Sequence, residues 1–285
     1  MAVAKHRMQH IFDGPFLADN AEGLLTPQRI VLSEARGAST GEWTGHRVWP
    51  SAVELVQHLH QTFGAGLVGL RVLELGCGLP LVGATLAALG GEVCATDHPD
   101  VMPHMQEVLH GNSDGSAHLT GLSMAARGRL RLRPLAWGEN FSQQGTEVQG
   151  SRNLSALCGF DGPVDLVIGA DLVYDKFPEK ALQETIIAAL ENNGAIAVLG
   201  LQPRRFPQTV ALKDPHRIAK FLRQLAAQQD GWDVVVKKPL QDAARQERER
   251  SEGLVIATIT PPVSRQLEQC ATAVRPLDYF QEELL

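Results

Sequence analysis

Four residues of one stretch could carry chemistry, and they surround a glycine turn: Glu74, Gly76, Gly78 and Asp97. A glycine turn between a strand and a helix lets the backbone approach a ligand closely, and nucleotide cofactors use this property. The dinucleotide fingerprint requires G-x-G-x-x-G, but Leu81 occupies its third glycine position in this chain. The turn therefore departs from the dinucleotide pattern, and glycines and acids are also common in α/β turns that bind nothing.

A strand-helix-strand unit must position these residues. Apolar runs bounded by glycine predict buried strands at Val72–Leu75 and Glu92–Thr96, the second ending on Asp97. Helical spacing of apolar residues between them predicts a helix that begins near Pro80. A crossover of this kind joins parallel strands, so we expect a parallel sheet here.

The pattern E-x-G-x-G followed by a later acid resembles S-adenosylmethionine-dependent methyltransferases of the seven-strand class. The resemblance implies that the turn binds the amino acid and ribose parts of the cofactor, through Glu74, Gly76, Cys77 and Gly78. It also implies that Asp97 accepts the ribose hydroxyls, since an ionised carboxylate can accept hydrogen bonds from two neighbouring hydroxyls.

A second phrase, T-G-x-x-V-W-P-x-A at residues 44–52, is similar to the methyltransferase-like family 16 enzymes. Many members of that group methylate lysines of non-histone proteins. In the group this tryptophan lies over the cofactor, which implies a cofactor-lining role for Trp49. A tryptophan-glycine pair after the predicted strand Leu130–Ala136 is also typical of the group, and it implies that Trp137 borders the adenine.

A third phrase, G-A-D-L-V-Y, follows the predicted buried strand Val164–Ile168 and matches the family motif A-D-x-x-Y. The resemblance implies that Ala170 borders the cofactor through its backbone. It also implies that Asp171 and Tyr174 are catalytic residues that face the methyl donor and acceptor. Asp171 equally suits a cap of the following turn.

The composition favours one large α/β domain in a reducing compartment. The chain has 285 residues, of which 44% are hydrophobic, and its formal net charge of -6 argues against non-specific clamping of nucleic acid. The cysteines form no C-x-x-C pair, which predicts free thiols: Cys77, Cys94, Cys158 and Cys270. The spacing of the histidines favours no metal site, and we find neither a signal core nor a run long enough to span a membrane.

We expect an α/β fold, specifically a Rossmann-like sheet of seven mostly parallel strands with helices on both faces and a terminal antiparallel strand. The predicted organisation is an N-terminal extension over 1–40, a class I methyltransferase domain over 41–262 and a C-terminal tail over 263–285. Within the extension, Gln28–Leu32 suits a short strand. The segment 138–162 is expected to be a surface insertion.

The resemblance predicts an S-adenosylmethionine-dependent N-methyltransferase that modifies a lysine side chain of a cytosolic protein, without a metal. Two alternatives stay open: a methyltransferase for a small molecule or another protein residue such as histidine, and a cofactor-binding scaffold without catalysis. Ala136 and Gln202 stand where the family often has acids, which is compatible with the scaffold, and the neutral Gln202 weakens the lysine assignment. We expect a protein substrate, no membrane or nucleic acid partner, a monomer and a cytoplasmic location, with a nuclear location left open.

Overall fold

The structure is a computed structural model, and it describes most of the chain from residue 7 to residue 261. The described ranges are 7–17, 25–35, 45, 47–110, 117–138, 154–174, 177–191, 195–202, 217–227, 231–238 and 254–261. Most of the predicted insertion (139–153), the predicted C-terminal tail and Cys270 lie outside the described residues. Among the helices within these ranges, none combines the length and the apolar character needed to cross a bilayer.

Strands and helices alternate along the described chain. The strands are β1 (Arg7–Leu17), β2 (Leu25–Ala35), β3 (Arg71–Leu75), β4 (Glu92–Asp97), β5 (Ala117–Thr120), β6 (Leu130–Pro134), β7 (Leu166–Ala170), β8 (Ile196–Leu201), β9 (Asp233–Lys237) and β10 (Val255–Thr260). The helices are α1 (Pro50–Phe63), α2 (Leu81–Ala88), α3 (Met102–His110), α4 (Met124–Arg129), α5 (Leu154–Cys158), α6 (Glu179–Glu191) and α7 (Arg217–Ala227).

A seven-stranded sheet forms the centre of the fold, in the order β6-β4-β3-β7-β8-β10-β9. The first five strands in this order are parallel, whereas β10 runs antiparallel to both β8 and β9. The chain moves outward from β3 to β4 and β6, then returns to β7 on the other side of β3. Open α/β sheets bind ligands at the carboxyl ends of the strands beside such a switch point. The predicted Rossmann-like sheet with its terminal antiparallel strand is confirmed.

The central strands are buried on both faces, which explains their uninterrupted apolar runs. In β3, Val72 lies in a core shared with Leu55 of α1 and Leu81 of α2. The next residue, Leu73, lies in a second core that contains Leu182 of α6. Successive strand residues point to opposite faces, so the two cores occupy the two sides of the sheet and helices cover both.

An ion pair fastens β3 to the start of β7 at the amino ends of the strands. The Arg71 guanidinium donates from Nε to Asp165 Oδ2 and from Nη2 to Asp165 Oδ1, each over 2.8 Å. The Arg71 backbone N–H also donates to Oδ2 over 2.9 Å. A Cβ on Gly162 would overlap the guanidinium, so glycine makes room for the pair. This clamp lies at the opposite end of the strands from the glycine turn.

The first 35 residues contribute more structure than their sequence predicts. Strands β1 and β2 pair as an antiparallel hairpin, and β2 also pairs with β5 in a separate three-stranded sheet. The sequence predicts only the short strand at Gln28–Leu32, and the pairing of β2 with the distant β5 leaves little local pattern. Ile30 and Leu32 of β2 lie in the same core as α2. The domain boundary at residue 40 stays a prediction.

Candidate functional site

The glycine turn between β3 and α2 has a left-handed backbone at both glycines. Gly76 has φ +58° and Gly78 has φ +50°, a region that side chains rarely adopt. A Cβ on Gly76 would lie 2.8 Å from Leu172 Cδ2 and 3.1 Å from Trp137 Cζ2. The indole of Trp137 and the side chain of Leu172 therefore wall the turn, although both are distant from it in sequence.

Asp97 ends β4 beside this turn, as the sequence predicts. Its Oδ2 accepts from the Gly78 N–H over 2.8 Å, and its Oδ1 accepts from the His98 N–H over 2.7 Å. The neighbouring Cys77 N–H donates to the carbonyl of Thr96 over 2.9 Å. These bonds fix the orientation of the Asp97 carboxylate at the turn, where the hydroxyls of a ribose are predicted to bind.

Glu74 lies beneath α2 and is only 2% exposed. A Cβ on Gly83 would lie 2.5 Å from Glu74 Oε2, so the carboxyl occupies the space that glycine leaves in the helix. Burial raises the pKa of Glu74 to about 8, and the charge of Asp97 adds to the rise against a hydrogen bond from the Gly83 backbone. Glu74 is therefore protonated at neutral pH, and its predicted contact with a cofactor stays a prediction.

Cys77 sits between the two glycines, and its surroundings disfavour the thiolate form. Burial raises the pKa of its thiol well above the ordinary value, and the charges of Asp97 and Glu74 raise it further. Cys77, Cys94 and Cys158 are all free thiols, as predicted. Within the described ranges, no group of three or more His, Cys, Asp and Glu side chains could hold a metal ion.

The position of Trp137 depends on helix α6. The next residue, Gly138, has φ +82°, and its N–H donates to Thr185 Oγ1 over 2.9 Å. A Cβ on Gly138 would lie 2.9 Å from the Cβ of Ala181, so α6 approaches the tryptophan-glycine turn closely. On the other side, the Leu135 N–H donates to the Asp97 carbonyl over 2.9 Å. These bonds hold the indole between α6 and the glycine turn.

Asp171 follows the end of β7 with a strained backbone. Its φ of +57° is the single positive value for a non-glycine residue in the part of the chain that the structure describes. The left-handed conformation costs an ordinary residue roughly 1–2 kcal/mol, and such strain is concentrated at functional sites. Its N–H donates to the Gly200 carbonyl over 2.8 Å, which extends the ladder between β7 and β8. The bend also brings Leu172 against the glycine turn.

Ala170 and Tyr174 flank Asp171. Ala170 is the last residue of β7 and pairs with Gly200. The ring of Tyr174 lies 6.0 Å from that of Phe177, and its carbonyl accepts from Arg217 Nη1 over 2.7 Å. These contacts tie the backbone of Tyr174 to the start of α7, whereas Ala170 lies at the switch point. The catalytic roles of Asp171 and Tyr174 stay predictions.

Gly45, which precedes α1, lies against the glycine turn. A Cβ on Gly78 would lie 3.1 Å from the carbonyl oxygen of Gly45 and 3.3 Å from its Cα. Trp49 immediately precedes α1, and the guanidinium carbon of Arg47 lies 4.4 Å from the centre of its ring. Sequence reasoning selected Trp49 but missed Gly45 and Arg47, although both are within the phrase that carried the resemblance.

The site lies wholly within a match to a known family. The model of the family described as lysine methyltransferase matches residues 33–214, which include every predicted site residue from Trp49 to Tyr174. This chain belongs to the lysine methyltransferase family. Membership confirms the resemblance that the glycine turn and the two later phrases indicate.

Individual relatives of this lysine methyltransferase family member match it over part of their length. EEF1A lysine methyltransferase 3 of Mus musculus is 30% identical over 128 residues, which are 45% of this chain and 43% of that protein. Protein N-lysine methyltransferase METTL21A of Danio rerio is 30% identical over 176 residues, which are 60% and 63% of the two chains. The chain thus spans about half the length of these curated relatives. The solved glycopeptide N-methyltransferase MtfA is a weak match, with a TM-score of 0.46 and 16% identity over 74% of this chain and 90% of that chain.

Proposed function

We propose that this protein is an S-adenosylmethionine-dependent N-methyltransferase that modifies a lysine side chain of a cytosolic protein. The observation that carries the proposal is the convergence of the Gly76 turn, the Trp137 indole and the Asp97 carboxylate at the switch point of the sheet. A nucleoside needs a close backbone approach, a flat apolar wall for its base and an acceptor for its ribose hydroxyls. These three residues supply one of these features each, so the site fits the cofactor.

Family membership supports the lysine part of the proposal. The names of the two curated relatives describe lysine methylation. One name specifies EEF1A as the substrate, and the other specifies only a protein. A protein substrate is also compatible with a site at the carboxyl ends of the strands. We therefore place a protein lysine ahead of a small-molecule acceptor.

The cofactor would lie across the turn with its adenine beside Trp137, its ribose at Asp97 and its amino acid part over Gly76 and Gly78. S-adenosylmethionine supplies a methyl group bonded to a positively charged sulfur. The contribution of the protein is to align the acceptor with this methyl group and to exclude water. Such positioning accounts for up to about 7–11 kcal/mol of a reaction barrier.

Asp171 and Tyr174 would hold the acceptor at the carboxyl end of β7. A lysine arrives as an ammonium ion and must lose a proton before its nitrogen can attack. A carboxylate attracts the ammonium and stabilises charge that develops on the nitrogen, and a phenol oxygen can orient it by a hydrogen bond. The strained backbone of Asp171 is consistent with a residue held in place for a function rather than for stability.

A neutral acceptor such as a histidine imidazole is the second candidate, and Gln202 favours it. Gln202 directly follows β8, the strand that pairs with β7. It places a neutral amide after the carboxyl end of β8, where the family often has an acid. A neutral amide attracts an ammonium ion less than a carboxylate would. The two candidates share the cofactor site and differ in the residue that receives the methyl group.

Calorimetry and transfer of a labelled methyl group test the proposal together. We expect the purified protein to bind S-adenosylhomocysteine but not NAD, and to transfer tritiated methyl groups to lysine of proteins in a cell extract. Asp171→Asn removes the charge while keeping a residue that tolerates a left-handed backbone, so it should lose transfer and retain binding. Label on histidine or on small molecules contradicts the lysine assignment. Binding of NAD alone contradicts the whole proposal, and binding without any transfer indicates a scaffold.

A further inference from the structure

We propose that Arg47 binds the carboxylate of the amino acid part of S-adenosylmethionine. This inference rests on the proposed function and adds to it a residue that the motif analysis did not select. The carboxylate is the one anionic group of that cofactor, so a site that selects the intact cofactor needs a partner for it. Four features support this assignment: the contact of Gly45 with the turn, the unpaired Nε of Arg47, the few free donors at the turn, and the acidic residues nearby.

Gly45, two residues before Arg47, lies against the glycine turn. A Cβ on Gly78 would lie 3.1 Å from the Gly45 carbonyl oxygen. Val48, the residue after Arg47, is 4% exposed and belongs to the core that contains α2. Arg47 therefore lies two residues from a backbone contact with the turn, where the amino acid part of the cofactor would bind.

The side chain of Arg47 is ordered but incompletely bonded. Its guanidinium lies 4.4 Å from the centre of the Trp49 ring, a stacking arrangement that restricts the plane of the fork. Its Nε is buried and has no hydrogen-bond partner among the described residues. A buried donor without an acceptor is costly, and a carboxylate is the anion that matches the guanidinium fork. A ligand carboxylate at this position would satisfy the donor.

Several N–H groups at the glycine turn already donate within the protein. The N-terminus of a helix after such a turn commonly binds anions through its free N–H groups. Here the N–H of Cys77 donates to Thr96, and that of Gly78 donates to Asp97. Pro80 has no N–H, and the N–H of Leu81 donates to the carbonyl of Leu79 over 2.7 Å. The first turn of α2 therefore offers few donors to a carboxylate.

The negative charges near the glycine turn also favour a cation beside the ligand carboxylate. Asp97 lies at the turn, and Asp171 lies at the end of the adjacent β7, so the described acids of the site would repel a ligand carboxylate. Arg47 is a cationic residue two positions after Gly45, whose backbone lies against the turn. It would offset this repulsion and supply two parallel hydrogen bonds, an arrangement that lysine cannot reproduce.

The test compares two ligands that differ only in the carboxylate: S-adenosylmethionine and decarboxylated S-adenosylmethionine. Calorimetry of the full chain should show that wild type binds the intact ligand more tightly. Arg47→Met should weaken binding of the intact ligand by about tenfold to a hundredfold, the range for a hydrogen bond to a charged group. It should change the affinity for the decarboxylated ligand by less than threefold. Arg223→Met, which removes an exposed arginine on α7, is the matched control and should change neither affinity.

Other outcomes overturn the inference, and they are distinguishable from failure of the proposed function. An equal loss for both ligands would show that Arg47 acts by packing on Trp49. Unchanged affinity for the intact ligand, with a raised KM for the protein substrate, would show that Arg47 contacts that protein instead. If Arg47→Met does not fold by circular dichroism, Arg47→Lys keeps the charge and should retain only part of the preference. A wild-type protein that binds neither ligand refutes the proposed function itself.

Discussion

The amino and carboxyl ends of the central strands differ in how their ionisable residues are paired. At the amino ends, Arg71 and Asp165 satisfy each other through three hydrogen bonds, and Gly162 makes room for them. At the carboxyl ends, the acids interact with backbone amides or lie buried. Asp97 accepts from the turn, and Glu74 lies in the space left by Gly83.

The backbone also differs between the two ends. At the carboxyl end of β7 a non-glycine residue, Asp171, is left-handed, whereas the left-handed residue beside the amino end of β3 is a glycine, Gly69. Strain of this kind costs stability, and proteins retain it where a ligand or a reaction requires it. We infer from this difference that the amino ends hold the sheet together and that the carboxyl ends form the proposed binding and catalytic site. Each of the following variants tests one side of that division.

The largest effect is expected at the clamp. Asp165→Ala leaves the Arg71 guanidinium without its carboxylate in a mostly buried position, where Asp165 is 13% exposed. We expect the free energy of unfolding to fall by about 3 kcal/mol, at the lower end of the cost of breaking a buried pair. Urea denaturation measures this change, and the affinity for S-adenosylhomocysteine should stay constant. The exposed acid Asp100 provides the control, since Asp100→Ala should leave stability nearly unchanged. A loss of affinity with unchanged stability would reverse the assignment.

The next effect is expected at the glycine turn. Gly76→Ala places a methyl group 2.8 Å from Leu172 and 3.1 Å from Trp137 on a left-handed backbone. Strain and crowding together should weaken S-adenosylhomocysteine binding by about a hundredfold. Gly69→Ala is a matched control at the amino end of β3, because Gly69 has φ +76° and a Cβ there would meet nothing within 4 Å. It should cost about 1 kcal/mol of stability and no affinity. Equal affinities for the two variants would show that the turn does not contact the ligand.

A smaller loss of affinity is expected for Asp97→Asn. The amide can still accept from the Gly78 N–H, but its NH₂ group would face the His98 N–H and could not accept from a ribose hydroxyl on that side. We expect about thirtyfold weaker binding of S-adenosylhomocysteine, since hydrogen bonds to charged groups contribute about 1.5–3 kcal/mol. Calorimetry measures the affinity, and thermal unfolding checks the fold. Asp165→Asn should give the opposite result, with lower stability and unchanged affinity.

The smallest effect separates Glu74 from the other acids of the site. The folded protein keeps the proton on Glu74 up to about pH 8, whereas the unfolded chain releases it near the ordinary pKa of 4.5. Between these values the stability of wild type should fall as the pH rises, by about 1.4 kcal/mol per pH unit from this group. Glu74→Gln is neutral throughout and should lack this part of the slope. Urea denaturation of both proteins at pH 6.5 and pH 7.5 measures the difference, and parallel slopes would show that Glu74 is ionised in the folded state.

Much of the central fold could be predicted because buried parallel strands leave a local signal. The predicted bounds of β3 and β4 each differ from the structure by one residue. The strand predicted at Val164–Ile168 runs from Leu166 to Ala170, a shift that follows its pairing with β3 rather than its composition. β1, β5 and α4 were not expected. A strand whose partner lies far along the chain need not show a strong pattern of its own.

For the site, the sequence by itself determined the turn between β3 and α2, the acid at the end of β4 and the aromatic and acidic phrases that follow. Those are local patterns, since glycine, strand ends and short spacings depend on neighbouring residues. Only the tertiary structure decided that Trp137 lies against Gly76, that Glu74 is buried and protonated, and that the backbone of Gly45 lies against Gly78. Burial and contact are properties of residues distant in the chain, and no local spacing contains them.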